Sequence, residues 1–464
     1  MITRSSRFLR WALAANIVTF SAISYAEEQS EAKAAEPFAF ADFTWMNGNN
    51  RQKSALLDSK YFTGTFMADT NVVLDFNTPK DHTLVGSTSS GRTNEIQVTQ
   101  LGIGGDFHHE NVRGRIMTQF GMYSSMTPRN DASTARGQWD ANTAYRYVSE
   151  AYGGYHWDTL NGINLDAGIF MSYIGLFSYY NFENWAYQAS YTSANTPWFF
   201  NGLRLQVFPT ERLKTEVWLI NGWQSYGMFN EAPGVGYQVN YRPTGDLSWV
   251  FNGYVGSDTL GTPGRTRFHS DNSVQYKYLD TPSKFLSKAA FSVTADIGCE
   301  SGGGVQCSNG DSTTPSQYFI GVMAYNRLWF ASNKYALTLG AGMINNPGRY
   351  LVLIPPIQTS QTGASGGASA TNPALDSNGN PYFSQNPGDD FRAWDASATF
   401  DYMPNEYITF RSEFIHREAS VNYFSGPGGV TSPDGLNTST QPSGWKPDLV
   451  NTEDRINLAM MVRF

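Results

Sequence analysis

The pattern that most restricts this chain is an alternation of apolar with small or polar residues. It recurs in short runs from about residue 62 to the end. In "GINLDAGIFMSY" Ile163, Leu165, Ala167, Ile169 and Met171 fall on one face of an extended strand, and Asn164, Asp166, Gly168 and Ser172 fall on the other. "VGYQVNY" and "LSWVFNGYV" behave the same way. The final residues, "RINLAMMVRF", alternate without a break, with Ile456, Leu458, Met460, Val462 and Phe464 set against Arg455, Asn457, Ala459, Met461 and Arg463. Period two over many segments means strands. Their second face is too polar for a dry core and belongs in water or a wet lumen.

Sixteen such runs are centred near residues 70, 100, 117, 151, 168, 205, 217, 239, 251, 272, 292, 323, 339, 397, 411 and 460. One set of connections is short and rich in turn residues: "HHEN", "DTLNG", "PTER", "RPTGD", "DTPSK", "ASNK" and "MPNE". The interleaved set is long: 78–92, 125–144, 174–199, 223–234, 258–263, 299–314, 345–390 and 418–453. A β-sandwich has no reason to sort its loops in this way. An outer-membrane barrel does, with tight periplasmic turns and long external loops. The expected fold is therefore all-β, a transmembrane antiparallel barrel of about sixteen strands over residues 59–464. Its last strand must pair with its first, because no edge can stay open in lipid. That requirement accounts for a C-terminus built as an apolar-faced strand ending in an aromatic.

Composition agrees. Only 16% of residues are charged, against about 25% in ordinary soluble domains, while 15% are aromatic and 44 are Gly. After the first residues no stretch approaches the roughly 18 apolar residues of a membrane helix. Forty acidic against 32 basic residues argue against a nucleic-acid binder. Residues 1–26 read as a secretory signal peptide: Arg4, Arg7 and Arg10, an apolar run, then Ser24 and Ala26 at a cleavage site. Residues 27–58 precede the barrel. "FAFADFTWM" is too apolar for a free tail, so the segment is periplasmic or lumen-inserted, or adds a hairpin and makes eighteen strands. Cys299 and Cys307, in "CESGGGVQCS", are expected to close a short loop as a disulfide in an oxidising compartment.

Residues 150–227, from "EAYGGYHWDTLNGINLDAGIFMSY" to "INGWQSYG", carry a family resemblance, as do 402–433, "YMPNEYITFRSEFIHREASVNYFSGPGGVTSP", and 40–52, "FADFTWMNGNNRQ". The chain resembles the OmpL-like β-barrel porins over most of its length. The resemblance implies an outer-membrane barrel of a Gram-negative cell and a channel role, with no cofactor. It brings no substrate with it; the barrel itself is expected to contact the lipid bilayer and lipopolysaccharide, to take small polar solutes as cargo and to be compatible with a homo-trimer. Barrels of this kind end in an aromatic preceded by alternating apolar residues, which the outer-membrane assembly machinery reads. Ile456, Leu458, Met460, Val462 and Phe464 fit that signal.

The third long connection, "GLFSYYNFENWAYQASYTSANTPWFF", holds Tyr179, Tyr180, Trp185, Tyr187, Tyr191 and Trp198. In general porins the third external loop folds inward and narrows the channel, and the same is expected here. The alternatives are an aromatic girdle in the bilayer interface or a stacking surface for sugar rings. With the apolar set toward lipid, Arg113, Arg115, Arg146, Glu150, Asp166, Arg204, Lys214, Glu216, Arg411 and Glu413 point into the lumen. A basic side chain on the lipid face would cost about 2–4 kcal/mol at mid-depth. Such charges either set ion preference or brace the wall as ion pairs. Enzyme-like motifs fail on context. "GASGG" at 363–367 has no flanking strand and helix. "DSNGN" at 376–380 lacks the Gly and Glu of a calcium loop, leaving only weak surface sites at Asp376, Asn378, Asp389 or Asp390. His108 and His109 sit in a tight turn. No catalytic or metal residue is assigned. The expected function is passive diffusion of small hydrophilic solutes or ions. The rivals are a non-conducting structural or adhesive barrel and an outer-membrane lipid hydrolase.

Overall fold

A computed structural model describes residues 36–357, 374–376, 378–437 and 444–464. The expected signal peptide and the "GASGG" match lie outside the described residues. The alternating runs form sixteen wall strands. These are β1 (Phe62–Asp75), β2 (Ile96–His109), β3 (Val112–Thr118), β4 (Val148–Trp157), β5 (Ile163–Met171), β6 (Phe199–Thr210), β7 (Leu213–Ile220) and β8 (Gly234–Thr244). They continue as β9 (Leu247–Gly256), β10 (Thr266–Asp280), β11 (Leu286–Ser301), β12 (Tyr318–Phe330), β13 (Tyr335–Asn345), β14 (Arg392–Asn405), β15 (Ile408–Ala419) and β16 (Thr452–Arg463). Each expected centre falls inside one strand. Sequence neighbours pair, and β16 closes antiparallel onto β1, from Met67 opposite Arg463 to Asp75 opposite Arg455. Residues 36–58 add no strand to this wall, so the eighteen-strand alternative is not the architecture observed.

The two faces of the wall separate by residue type. On β2, Ile96, Val98, Leu101 and Ile103 face outward and exposed, while Gln97, Thr99 and Gln100 are buried in the lumen. Thr99 and Gln100 are consecutive because the β1–β2 register shifts at Asp69/Thr70. A bulge of this kind resets the parity of the strand. On β16, Leu458 and Met460 are exposed and Arg455, Asn457 and Met461 are buried. An apolar outer surface of this extent is a liability in water and is the surface lipid requires. Among the described residues no helix is long and apolar enough to cross a membrane, so the crossing is made by strands.

Long connections gather at one end of the barrel and tight turns at the other. Cys299, near the end of β11, is bonded to Cys307 across a Cα–Cα distance of 5.0 Å. The bond staples one long-loop tip, in which Gly302 bridges to Val305. The packed interior lies inside the barrel, where Trp45, Tyr179, Trp185 and Trp329 belong to one apolar cluster.

At the closing seam Phe464 N donates to Phe66 O at 2.9 Å, and Phe66 N donates to Phe464 O at 3.0 Å. The Phe464 ring stacks on Tyr407 at 5.8 Å and lies 6.1 Å from Phe66. Phe464→Asp keeps these backbone bonds, and an acidic group near the interface costs no more than about 1 kcal/mol. Refolding into detergent should stay nearly normal, measured by the heat-dependent gel shift of folded barrels. Assembly in cells should fail if the terminal aromatic is read as a signal. Arg463→Gln should leave assembly in cells intact; equal assembly of the two variants would refute the account of this strand.

Candidate functional site

The third long connection, residues 172–198, turns into the lumen, and most of it is buried there. A buried chain needs partners for its backbone N–H and C=O groups, and the wall supplies them as charged side chains. Tyr187 N and Gln188 N donate to the two carboxylate oxygens of Glu413, on β15, at 2.6 and 2.9 Å. Tyr191 N and Ser190 Oγ donate to Asp395 Oδ2, on β14, at 2.9 and 2.8 Å. Asn184 O accepts from Arg411 at 2.6 Å and Trp185 O from Arg327 at 3.1 Å. Asp69, on β1, accepts from Asn181 Nδ2 at 2.8 Å and the Tyr187 hydroxyl at 3.0 Å. Glu183 pairs with Arg463. Hydrogen bonds with an ionised partner are the stronger kind, so the connection is clamped rather than merely packed.

All six aromatics named from the sequence lie inside, none more than 8% exposed. The Tyr179 hydroxyl donates to Gln119 at 2.7 Å and the Tyr180 hydroxyl to Glu150 at 2.6 Å. Trp185 packs edge-on to Trp329 at 5.6 Å. Tyr191 lies under the Arg417 guanidinium at 5.1 Å, and Trp198 is 6.0 Å from the Tyr179 ring. These rings lie within the lumen. They form no girdle in the bilayer interface.

A second insert enters from the tight-turn end. Phe38 N donates to Glu211 O at 2.8 Å and Trp45 Nε1 to Gly245 O at 3.0 Å. Arg51 reaches the carbonyls of Asn405 and Ile408 at 2.9 and 2.7 Å. Segment 36–53 therefore runs between several turns across the mouth. It meets the first insert directly: Trp185 N donates to Asn47 Oδ1 at 2.8 Å and Trp185 Nε1 to Trp45 O at 3.1 Å. Gly48 has φ +73°, and a Cβ there would lie 2.1 Å from Leu176 O. Glycine is what lets the two inserts approach this closely.

The wall charges named from the sequence mostly find one another. Arg115 contacts Glu150 at 2.7 Å and Asp106 at 2.6 Å. Asp166 takes Arg113 at 3.2 Å and Arg204 at 2.8 Å. Lys214 holds Glu216 at 2.7 Å, and Arg411 holds Asp401 at 2.6 Å. Arg146 differs: β4 begins at Val148, and Arg146 ends a helical turn, Ala141–Tyr145, in the preceding connection. It thus reaches Ser124 O, at 3.4 Å, from a connection and not from a wall strand. Sequence reasoning missed Asp69, Arg327, Asp395, Asp401, Arg417, Glu453 and Arg455. Most were legible by the same parity: in "WDASATFDY" Asp395, Ser397, Thr399 and Asp401 alternate on the lumen face.

The long-loop end is itself tied together. Asp131 accepts from Ser133 N at 3.0 Å and Ser225 Oγ at 2.8 Å, linking two connections. Burial holds its carboxyl above the usual range despite those bonds. The two histidines expected in a tight turn instead end β2, paired with Arg113 and Val112, and stay at the surface, His109 3.9 Å from Glu110. Asp376 accepts from Asn378 N and Asn380 N at 2.8 Å each, a local turn. Asp389 accepts from Ser384 Oγ at 2.7 Å, and Asp390 pairs with Arg392 at 3.3 Å. Among the described residues no cluster of three or more metal-ligating side chains occurs.

A family model described as "Putative beta-barrel porin-2, OmpL-like" matches residues 61–449. No curated protein matches the chain. Solved structures similar to it include OmpT, an outer membrane protein of Vibrio cholerae, 12% identical, covering 89% of this chain and 100% of that one with a TM-score of 0.45. An anion-selective porin from Comamonas acidovorans is 10% identical over 87% of this chain and 99% of that one, TM-score 0.47. Pseudomonas putida OprB is 12% identical over 87% and 94%, TM-score 0.48.

The clamp on the inward connection has a direct test. Glu413→Ala leaves the amides of Tyr187 and Gln188 without their acceptors, at about 1–3 kcal/mol for each buried group. Hydrogen exchange across residues 184–192 should accelerate. Arg113→Ala, four strands away along the wall on β3, should leave it unchanged.

Proposed function

The chain belongs to the OmpL-like β-barrel porin family, and we propose that it conducts small hydrophilic solutes or ions passively across the outer membrane. The lumen is narrowed from outside by residues 172–198 and from the periplasm by residues 36–53. The observation that carries this reading is the inward connection, its backbone held by Glu413, Asp395, Arg327 and Arg411. A barrel with a merely structural role needs no such clamped insert. Passage is then governed by pore width and the lining field, and no residue makes or breaks a bond. The same reading places the first 26 residues as an export signal and the C-terminal strand as the feature read by the assembly machinery. It surrounds the barrel with bilayer and lipopolysaccharide, and a homo-trimer is compatible with it.

One observation favours a more closed resting state. The two inserts bond to each other through Trp185, Trp45 and Asn47, so neither mouth opens fully while both are seated. Segment 36–53 is then the part that yields, because its bonds to Glu211, Gly245, Asn405 and Ile408 all end on backbone carbonyls, whereas residues 172–198 are clamped by wall carboxylates and guanidiniums.

Single-channel recording in planar bilayers tests both points. Deleting residues 178–195 should raise unit conductance. Deleting 36–52 should raise conductance or the fraction of time open, with the barrel still folded by the gel-shift criterion. Unchanged conductance in the first deletion would refute the inward constriction as the limiting element. Absence of current from the intact protein and from both deletions would replace the porin reading with a structural barrel.

A further inference from the structure

At the long-loop end a cavity of about 210 Å³ lies where six connections meet. Trp223, Phe229, Asp258, Arg265, Gln317 and Tyr350 contribute to its lining. The Asp258 side chain and Gln317 are each only 2% exposed. Four of the six carry a buried polar atom without a hydrogen-bond partner: Asp258 Oδ2, Arg265 Nε, Gln317 Oε1 and the Tyr350 hydroxyl.

The rest of each polar group is already committed. Asp258 Oδ1 accepts from Trp223 N at 2.8 Å and the Tyr254 hydroxyl at 2.9 Å. Gln317 Nε2 donates to Glu300 at 2.8 Å, and Arg265 Nη2 donates to Gly303 O at 2.6 Å. Two acceptors, a donor and a hydroxyl are thus left unpartnered among the residues that line this one cavity. Buried polar atoms normally have partners, so an arrangement of this kind suits an occupant that both donates and accepts.

Charge decides between occupants. Two carboxylates, Asp258 and Glu300, stand against two guanidiniums, Arg265 and Arg267. Arg267 contacts Asp258 at 3.8 Å and Glu300 at 2.9 Å. The balance attracts neither anions nor cations. The indole of Trp223 and the ring of Phe229 supply apolar surface for the C–H face of a ring. We propose that this cavity is a binding subsite for a small neutral polyhydroxylated solute, one sugar ring in size. The inference rests on the porin reading for its place on a diffusion route, while binding itself can be measured without conduction.

The test is calorimetry on the purified full chain in a detergent without a sugar headgroup, with D-glucose as probe and gluconate and glucosamine as charged counterparts. Glucose should bind, and both charged probes should bind more weakly. Tyr350→Phe removes a hydroxyl that has no protein partner, so the fold loses no bond. It should weaken glucose binding about 2- to 10-fold, the worth of one hydrogen bond. Gln317→Met should do the same. No heat with glucose, wild-type affinity in both variants, or preference for either charged probe would overturn the proposal and leave a water-filled vestibule. In bilayers, glucose added at the long-loop side should reduce the current of the wild type more than that of Tyr350→Phe. A protein that passes no current but still binds glucose in this variant-sensitive way would refute the porin reading and keep the subsite.

Discussion

Everything in this structure depends on the pairing of backbone N–H and C=O groups where water is absent. At lipid depth an unpaired group costs several kcal/mol, so a sheet can exist there only if it closes. Closure here is the β1–β16 seam, carried from Met67–Arg463 to Asp75–Arg455. It also fixes parity, because a register slip of one residue would turn Arg455 and Arg463 outward and Leu458 and Met460 inward. The position of every lumen charge follows from that register.

The same requirement then acts inside the barrel. A chain that leaves the wall and enters the lumen loses its ladder partners, and each buried amide must find another. Residues 172–198 meet this demand with wall carboxylates and guanidiniums in place of a second sheet. Glu413 is the clearest case, since it accepts two consecutive backbone amides as well as Asn457 Nδ2 at 2.9 Å and Thr399 Oγ1 at 2.8 Å. Such a network is costly when half satisfied and rigid when complete. The insert therefore has one seat, defined by the strands behind it.

The wall was legible in the sequence because its rule is short-range. Apolar-out, polar-in alternation can be read within one strand, and the interleaving of long and short connections orders the strands without any contact information. The inserts obey no such local rule. Nothing in "FADFTWMNGNNRQ" distinguishes a periplasmic strap from a hairpin, since its partners, Gly245, Asn405, Ile408 and Trp185, are remote in the chain. Parity also reached its limit at Arg146. Alternation continues there on paper, but the helical turn before Val148 breaks the strand. Asp395 and Asp401 were readable by parity. Their roles were not, because those depend on which loop carbonyl or amide the closed barrel brings opposite them.

Pairing of the wall charges has a further consequence for the route through the barrel. An isolated ring of charge projects its field along a pore, whereas Arg115 with Glu150, Arg204 with Asp166 and Lys214 with Glu216 form close dipoles whose fields fall off quickly. Debye screening at physiological salt, with a length of about 8 Å, reduces what remains. On the proposed conducting role, a solute crossing such a lumen would meet little field from these pairs and would feel chiefly the shape and hydrogen-bonding groups of the two inserts. Discrimination then passes from the strands, whose charges are spent on bracing, to the loops, where unpartnered polar atoms and aromatic faces remain. In this barrel the part that is easiest to read from the sequence is the wall, and the part that is hardest to read is the pair of inserts the wall holds.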